Sequence, residues 1–250
     1  MRYYPPRYLF RRHEILRYLK NGERFLEIGP GSLNLTRELA RYFNNGTLIE
    51  YNPYVTRLFA ELPDEIRSRT DLIVDDFLSV EINGRFDCVI ACEVMEHVAD
   101  DELFLARARS ALRPDGQLIL SVPARMRFWS VHDEVVGHVR RYERNELRQS
   151  IHNHGFRDIK VISYGFPFVN FLRLLRIGHA RLTLKERMRW DQESQTQESG
   201  LVGIHTPSSR YLGVLVNPMT TYPLSKLASL FNSYDISNGY LIIAEADGSN

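Results

Sequence analysis

The chain has little cysteine and no apolar run long enough to cross a membrane. Its two cysteines, Cys88 and Cys92, lie on one face of a predicted strand about 13 Å apart, too far to form a disulfide. No stretch of about 18 uncharged apolar residues occurs, and the first residues lack the apolar segment of a signal peptide. We therefore expect a soluble protein in a reducing, cytoplasmic compartment.

The chain also lacks a charge excess of either sign. Its 32 basic and 31 acidic side chains nearly cancel, so no overall field attracts nucleic acid. No recognisable RNA-binding module occurs either, and the sequence disfavours a nucleic-acid partner. Any attraction to an anionic partner must therefore be local.

What the sequence does contain is an alternation of short apolar runs and helical patterns. Such alternation predicts an α/β fold, a Rossmann-like doubly wound sheet with mostly parallel strands. The predicted strands are 24–28, 47–50, 71–74, 86–91, 117–122, 159–164 and 240–244. The predicted helical stretches are 35–43, 53–62, 103–112 and 145–154.

The length of 250 residues predicts one domain, 1–250, with additions to its core. Residues 1–22 are expected to form an N-terminal cap, and 123–142 an active-site loop rich in aromatics, histidines and arginines. A helical or irregular insertion, 165–235, precedes the last strand, with a long helical segment over 165–189. Its polar tract 191–200 is typical of a linker.

A glycine-containing loop, Glu27-Ile28-Gly29-Pro30-Gly31, follows the first strand and precedes a helix. This arrangement lets the backbone come close to a nucleotide-like ligand. A dinucleotide site has G-x-G-x-x-G, but Asn34 stands at the third glycine position. Glu27 would repel a pyrophosphate yet can help to hold an ammonium group, which favours an amino-acid-containing cofactor.

Acidic residues end the next two strands. Glu50 follows the second strand, where a carboxylate can accept hydrogen bonds from two ribose hydroxyls. Asp75, Asp76 and Phe77 follow the third strand, where they can face an adenine ring and its amino group; a helix-capping role is the alternative for the acids.

Three segments, 26–31, 86–98 and 112–118, resemble in order and spacing the motifs of class I S-adenosylmethionine-dependent methyltransferases. The resemblance covers about residues 10 to 165 and implies a seven-stranded sheet with an antiparallel last strand. It implies that Gly29 and Gly31 line the methionine moiety, with Glu27 and Asn34 in the same loop. It places Glu50 at the ribose, Asp76 and Phe77 at the adenine, and Cys92 in the cofactor wall.

Glu93, Glu96 and His97 occupy positions i, i+3 and i+4 of a helix predicted after the fourth strand. Side chains at this spacing share one face and could bind a divalent ion, or could simply favour the helix N-terminus. The pattern resembles that of ubiquinone-pathway O-methyltransferases and of enzymes that methylate the terminal ribose of small RNAs. The resemblance implies a magnesium or manganese ion held by these residues and His138; alternatively His97 or His138, with Glu96, acts in acid–base catalysis.

The insertion combines an apolar stretch, 166–177, with several arginines and one lysine up to 189. It could touch a membrane surface or cover a lipid-like, anionic acceptor, and packing over the active site is the plainer alternative. No Asn/Asp-Pro-Pro-Tyr motif is present, which favours O-methylation of a small molecule, sugar or lipid-linked compound. The alternatives are a nicotinamide-dependent oxidoreductase and a non-catalytic partner subunit.

Overall fold

The computed structural model describes residues 4–174, 177–178 and 216–248. The strands are β1 (Gly22–Ile28), β2 (Phe43–Glu50), β3 (Thr70–Val74), β4 (Phe86–Cys92), β5 (Leu112–Pro123), β6 (Phe156–Ser163) and β7 (Gly239–Ala246). The described helices are α1 (Pro6–Tyr18), α2 (Asn34–Leu39), α3 (Val55–Ala60), α4 (Asp64–Arg67), α5 (Asp101–Ala111), α6 (Val131–Val136), α7 (Arg144–Asn153), α8 (168–174) and α9 (Pro218–Ser229). Short 3-10 helices cover Met95–His97 and Met126–Phe128.

The strands form one seven-stranded sheet in the order β3-β2-β1-β4-β5-β7-β6, with a parallel core and an antiparallel last strand. This confirms the predicted fold class. In the parallel register, Ile28 at the end of β1 pairs with Ile49 in β2 and with Ala91 in β4. The carboxyl ends of these three strands are therefore level, and the loops that follow them start at the same edge of the sheet.

The central strands are predictable because both of their faces are buried. Residues 86–91 of β4 are all buried, as expected for a parallel strand covered by helices on both faces. Phe43, predicted to end a helix, instead begins β2. This strand starts four residues earlier than predicted because exposed Asn44 and Asn45 interrupt its apolar pattern.

Another local prediction, the helix that starts at Glu93, was wrong. No α-helix begins at Glu93: a 3-10 turn covers Met95–His97, and α5 starts only at Asp101, where the Asp100 carboxylate accepts a 2.9 Å hydrogen bond from the Leu103 amide. The segment 123–142, predicted as an active-site loop, contains the helix α6. Its start is fixed by a capping box between Ser130 and Asp133.

The chain divides into two compact units. The first, which we call the sheet unit, takes Leu19–Val122, Asn145–Val161 and Ile242–Asn250. The second, which we call the three-segment unit, takes Met1–Tyr18, Pro123–Arg144 and Ile162–Leu241. These three segments correspond closely to the N-terminal cap, the active-site loop and the insertion named above.

Within the three-segment unit, α1 packs against α9, and the rings of Phe10 and Phe168 stack with centroids 5.5 Å apart. The predicted long helical segment 165–189 is described as helix over 168–174 and 177–178, after a turn. The rest of that segment and the polar tract 191–200 lie outside the described residues. Among the helices that the structure describes, none is long and apolar enough to cross a membrane.

Candidate active site

The loop after β1 has a backbone that requires glycine. Gly29 has a φ of +65° and Gly31 a φ of +49°, both in the left-handed region. A Cβ atom at Gly29 would lie 2.5 Å from Cγ2 of Val94, a residue of the segment after β4. The two predicted glycines therefore make a tight turn that packs directly against the end of a neighbouring strand.

Asn34 stands where a dinucleotide-binding loop has its third glycine, and the local backbone explains why no glycine is needed there. Leu33 adopts a φ of 57° as the N-terminal cap of α2, so the left-handed residue comes just before Asn34 rather than at it. Asn34 is buried as the first residue of α2. Glu27 is also buried, and its Oε2 accepts a 2.6 Å hydrogen bond from Oγ1 of Thr36. The helix thereby ties the acidic residue to the loop.

Glu50 is joined directly to the glycine loop. Its Oε2 accepts a 3.0 Å hydrogen bond from the Gly31 amide, and its Oε1 accepts one of 3.1 Å from the Asn52 amide. Burial raises the pKa of Glu50, although the backbone hydrogen bonds oppose that rise. The carboxylate is thus held at the end of β2, where two of its oxygens are oriented before any ligand arrives.

In the segment after β3 the acidic side chains and the aromatic ring differ in exposure. Asp75 and Asp76 are exposed, and Oδ1 of Asp76 accepts a 2.9 Å hydrogen bond from the Leu78 amide. Phe77 is buried; its ring packs 5.0 Å from that of Phe104, with the Arg107 guanidinium 5.6 Å from its centroid. The Asp76 carboxylate therefore forms part of the turn, and Phe77 anchors it to α5.

At the end of β4 the two cysteines differ in exposure. Both are free thiols; Cys88 is buried, and this burial raises the pKa of its thiol, whereas Cys92 is half-buried. Glu93, the next residue, has a φ of 59°, which is unusual for a residue with a side chain. Its amide donates to the Ser121 carbonyl at 2.8 Å, and Oγ of Ser121 donates to its carboxylate at 3.0 Å.

Glu96 and His97 lie in the 3-10 turn rather than on an α-helix. The His97 amide donates to the Val94 carbonyl at 3.0 Å, the shorter spacing of that turn. Glu96 is fully buried and His97 is half-buried. The predicted sharing of one α-helical face by Glu93, Glu96 and His97 is therefore wrong, because the chain between β4 and α5 is a tight turn.

His138 belongs to the three-segment unit, where it forms a buried polar cluster. Its Nδ1 lies 2.9 Å from Oδ1 of Asp133, and the same oxygen accepts a 2.8 Å hydrogen bond from Nε of Arg141. The exposed fractions of these side chains are 7% for His138, 0% for Asp133 and 3% for Arg141. The cluster exists because Gly137, with a φ of 80°, ends α6 and turns the chain back onto Asp133.

The hydrogen bonds and charges around Asp133 keep this carboxylate ionised. Burial alone would raise the pKa of Asp133, but the hydrogen bond from His138 and the Arg141 guanidinium outweigh it and hold that pKa well below its usual value. An ionised Asp133 accepts a hydrogen bond from the Nδ1–H group of His138. In the tautomer that this bond favours, Nε2 is the ring's acceptor atom. Such a nitrogen can take up a proton or bind a metal.

The sequence did not indicate the roles of Asp133 and Arg141. They stand five residues before and three residues after His138, and the two spacings together match neither a helical nor a strand period. The capping box at the start of α6 is the one sequence signal for the local structure. In the sheet unit, by contrast, the predicted cofactor residues Gly31 and Glu50 are joined by a hydrogen bond.

A family model described as a methyltransferase domain matches residues 1–161, more than half of the chain. Among curated proteins, the ubiquinone biosynthesis O-methyltransferase of Azorhizobium caulinodans is 38% identical over 107 residues. That stretch is 42% of this chain and 42% of the relative. The chain thus spans about two fifths of the length of the curated relatives it matches.

Solved structures show the same fold at low sequence identity. One is in the complex of the Haloferax volcanii Trm112 methyltransferase activator with a methyltransferase, with a TM-score of 0.59, 15% identity, and coverage of 96% of this chain and 90% of that one. Another is the [4+2]-cyclase SpnF, with a TM-score of 0.57, 17% identity, and coverage of 96% and 81%. The cyclase shows that the fold alone does not determine the reaction.

The family assignment therefore rests on the matching domain model, and the structure agrees with it. The sheet has the strand order and parallel core of a Rossmann-like methyltransferase fold, and its central strands end at one edge. The chain belongs to the class I S-adenosylmethionine-dependent methyltransferases.

Proposed function

We propose that the protein transfers the methyl group of S-adenosylmethionine to a hydroxyl oxygen of a small molecule, sugar or lipid-linked acceptor. The observation that carries this proposal is the buried pair of His138 and Asp133, whose Nδ1 to Oδ1 distance is 2.9 Å. A neutral imidazole oriented by a carboxylate is suited to accept a hydroxyl proton near neutral pH. The names of the curated relatives, ubiquinone biosynthesis O-methyltransferases, support oxygen as the acceptor atom.

Methyl transfer from a sulfonium is an in-line displacement at carbon, so the protein has two tasks. It must orient the nucleophile, and it must remove the proton that the nucleophile loses. In the proposed arrangement the donor is held by the loop of Gly29 and Gly31 and by Glu50. The hydroxyl is deprotonated by Nε2 of His138 or by His97, with Glu96 orienting the acceptor.

We also propose that a divalent ion takes part. Glu93, Glu96, His97 and His138 offer carboxylate oxygens and imidazole nitrogens, which suit magnesium or manganese. The hydrogen bond from His138 to buried Asp133 is the partner that metal-binding histidines usually have on their second ring nitrogen. When bound, such an ion would lower the pKa of an acceptor hydroxyl and hold two adjacent oxygens.

The test is methyl transfer to a catechol and to a matched monophenol, each with magnesium, with manganese and with a chelator. The variants are His138→Gln, His97→Gln and Glu96→Gln, and His152→Gln provides a control at an exposed histidine of α7. We expect the control to match the wild type. We expect the three site variants to lose turnover while they still bind S-adenosylhomocysteine.

Three outcomes would contradict parts of the proposal. Full activity in both His138→Gln and His97→Gln would remove the proposed base. Equal activity with and without a chelator would show that no metal ion takes part in the reaction. Binding of the cofactor product with no turnover on any hydroxyl acceptor would favour a non-catalytic partner subunit.

A further inference from the structure

Three arginines surround one aromatic ring in the three-segment unit. The guanidinium carbons of Arg125, Arg127 and Arg173 lie 4.8, 5.2 and 5.1 Å from the ring centroid of Phe128. At these distances each cation interacts with the ring face or edge. We call this group the Phe128 arginine cluster. Its members come from two of the unit's segments, which the fold brings together at one point.

The cluster is held in place by backbone contacts. Arg125 is 5% exposed and has a φ of 56°, a strained value for arginine. Its guanidinium donates to the carbonyls of Asp235 and Ser237, and these bonds fix the start of the turn that ends in Phe128. From α8, Nη2 of Arg173 donates a 2.9 Å hydrogen bond to the Phe128 carbonyl. The ring and two of its arginines are therefore rigidly placed.

The positive charge of the cluster exceeds the negative charge beside it. Arg125 has the Asp235 carboxylate at 3.7 Å. Arg173 has no carboxylate within salt-bridge distance among the described residues, and its Nε is shielded from solvent with no hydrogen-bond partner there. Asp133 attracts Arg173, but this carboxylate already accepts bonds from His138 and Arg141.

Arg127 adds a third cation, and it is exposed. The two acidic residues that follow it most closely in sequence have other partners: Asp133 accepts bonds from His138 and Arg141, and Glu134 accepts a 3.3 Å hydrogen bond from the Trp129 indole. Guanidinium groups that share one ring repel each other unless an anion lies between or beside them. Burial also lowers the pKa of Arg173, a cost that a bound anion would offset.

We infer that the Phe128 arginine cluster binds an oxyanion, a phosphate or carboxylate group, of the methyl acceptor. Arg173 and Arg127 are the side chains that bind it, since a guanidinium fork pairs with two oxygens of either group. The inference rests on the proposed function in one respect: it assigns the bound anion to the methyl acceptor. It narrows that acceptor to a hydroxyl compound with an acidic group.

The experiment measures anion binding directly, without methyl donor or metal. The full-length protein is titrated calorimetrically with pyrophosphate, with benzoate and with geranyl diphosphate, at constant ionic strength set with chloride. These three ligands distinguish phosphate from carboxylate, and a free anion from one on an apolar tail. We expect saturable binding of at least one ligand by the wild type.

The variants identify the site. Arg173→Gln and Arg127→Gln should each weaken that binding at least about tenfold, as expected for loss of a charge-assisted contact. Arg173→Lys should recover part of it, because it keeps the charge but loses the fork. Arg57→Gln, which removes an exposed arginine from α3, should bind as the wild type does. Arg127→Gln alters only an exposed side chain, so it tests the site even if Arg173→Gln does not fold.

No saturable binding of any of the three ligands by the wild type would overturn the inference, as would equal affinity in the wild type and in Arg127→Gln. If the protein binds an anion but does not methylate hydroxyl acceptors, the anion site is supported and the proposed function is rejected. If it methylates hydroxyl acceptors but binds no anion, the proposed function is supported and the anion site is rejected.

Discussion

The Nδ1 atom of His138 lies 2.9 Å from Oδ1 of Asp133, a side chain that is fully excluded from solvent. The same oxygen accepts a bond from Arg141, so the imidazole faces an ionised and doubly held carboxylate. This geometry favours the tautomer of His138 that carries its proton on Nδ1.

Asp133→Asn should lower methyl transfer about tenfold to a hundredfold, the usual effect of altering the partner of a functional histidine. A neutral amide stabilises the protonated imidazole less, and its amino group can reverse the tautomer. Steady-state rates of the variant and of Asp115→Asn, an exposed carboxylate with an Arg157 partner, provide the comparison. Wild-type rates in Asp133→Asn would show that the pair only stabilises the fold.

The same substitution should change the pH dependence of stability. Since the pKa of Asp133 is held below its unfolded value, its contribution to stability is complete above about pH 4 and is lost as the pH falls further. Thermal unfolding of wild type and Asp133→Asn should therefore differ most near neutral pH and converge in acid. A constant difference down to the acid limit of folding would contradict this.

Glu50→Gln should weaken S-adenosylhomocysteine binding about tenfold to a hundredfold, the range for hydrogen bonds to a charged acceptor. Because burial raises the pKa of Glu50, wild-type affinity should also begin to fall on acidification at a higher pH than an ordinary glutamate would give. Calorimetric titrations over a pH series measure both effects. If the affinity of Glu50→Gln for S-adenosylhomocysteine falls in acid as that of the wild type does, a group other than Glu50 causes the loss.

Gly29→Ala should destabilise the fold by about 1–3 kcal/mol, as for other strained backbone positions. Two causes combine, a φ of +65° and a Cβ only 2.5 Å from Cγ2 of Val94. The double variant Gly29→Ala/Val94→Ala removes the clash and keeps the backbone strain, so it should recover part of the loss caused by the glycine substitution. Urea unfolding of both single variants and the double one measures this, and no coupling between them would refute the proposed contact.

The sheet was predictable because buried parallel strands are continuous apolar runs, as in β4, and turns interrupt them. The tight turn after β1 was predictable for a related reason, since Gly29 and Gly31 adopt backbone angles that other residues avoid. Both features are local, so the sequence alone contains them.

The segment after β4 was not predictable from spacing. Glu93, Glu96 and His97 fit a helical period, yet Asp100 caps α5 and delays the helix until after them. The partner of His138 could not be found either, because it depends on a left-handed turn at Gly137 and not on a repeat. Polar clusters that such turns form can be identified only from the three-dimensional structure.

The central claim is methyl transfer to oxygen, and the nature of the new bond tests it most directly. The protein would be incubated with S-adenosylmethionine carrying a 13C-labelled methyl group and with hydroxyl acceptors that bear a phosphate or carboxylate, and the labelled product would be examined by carbon NMR. The account predicts a methyl carbon bonded to oxygen. A label bonded to nitrogen or carbon, with amine and hydroxyl acceptors offered together, would contradict it.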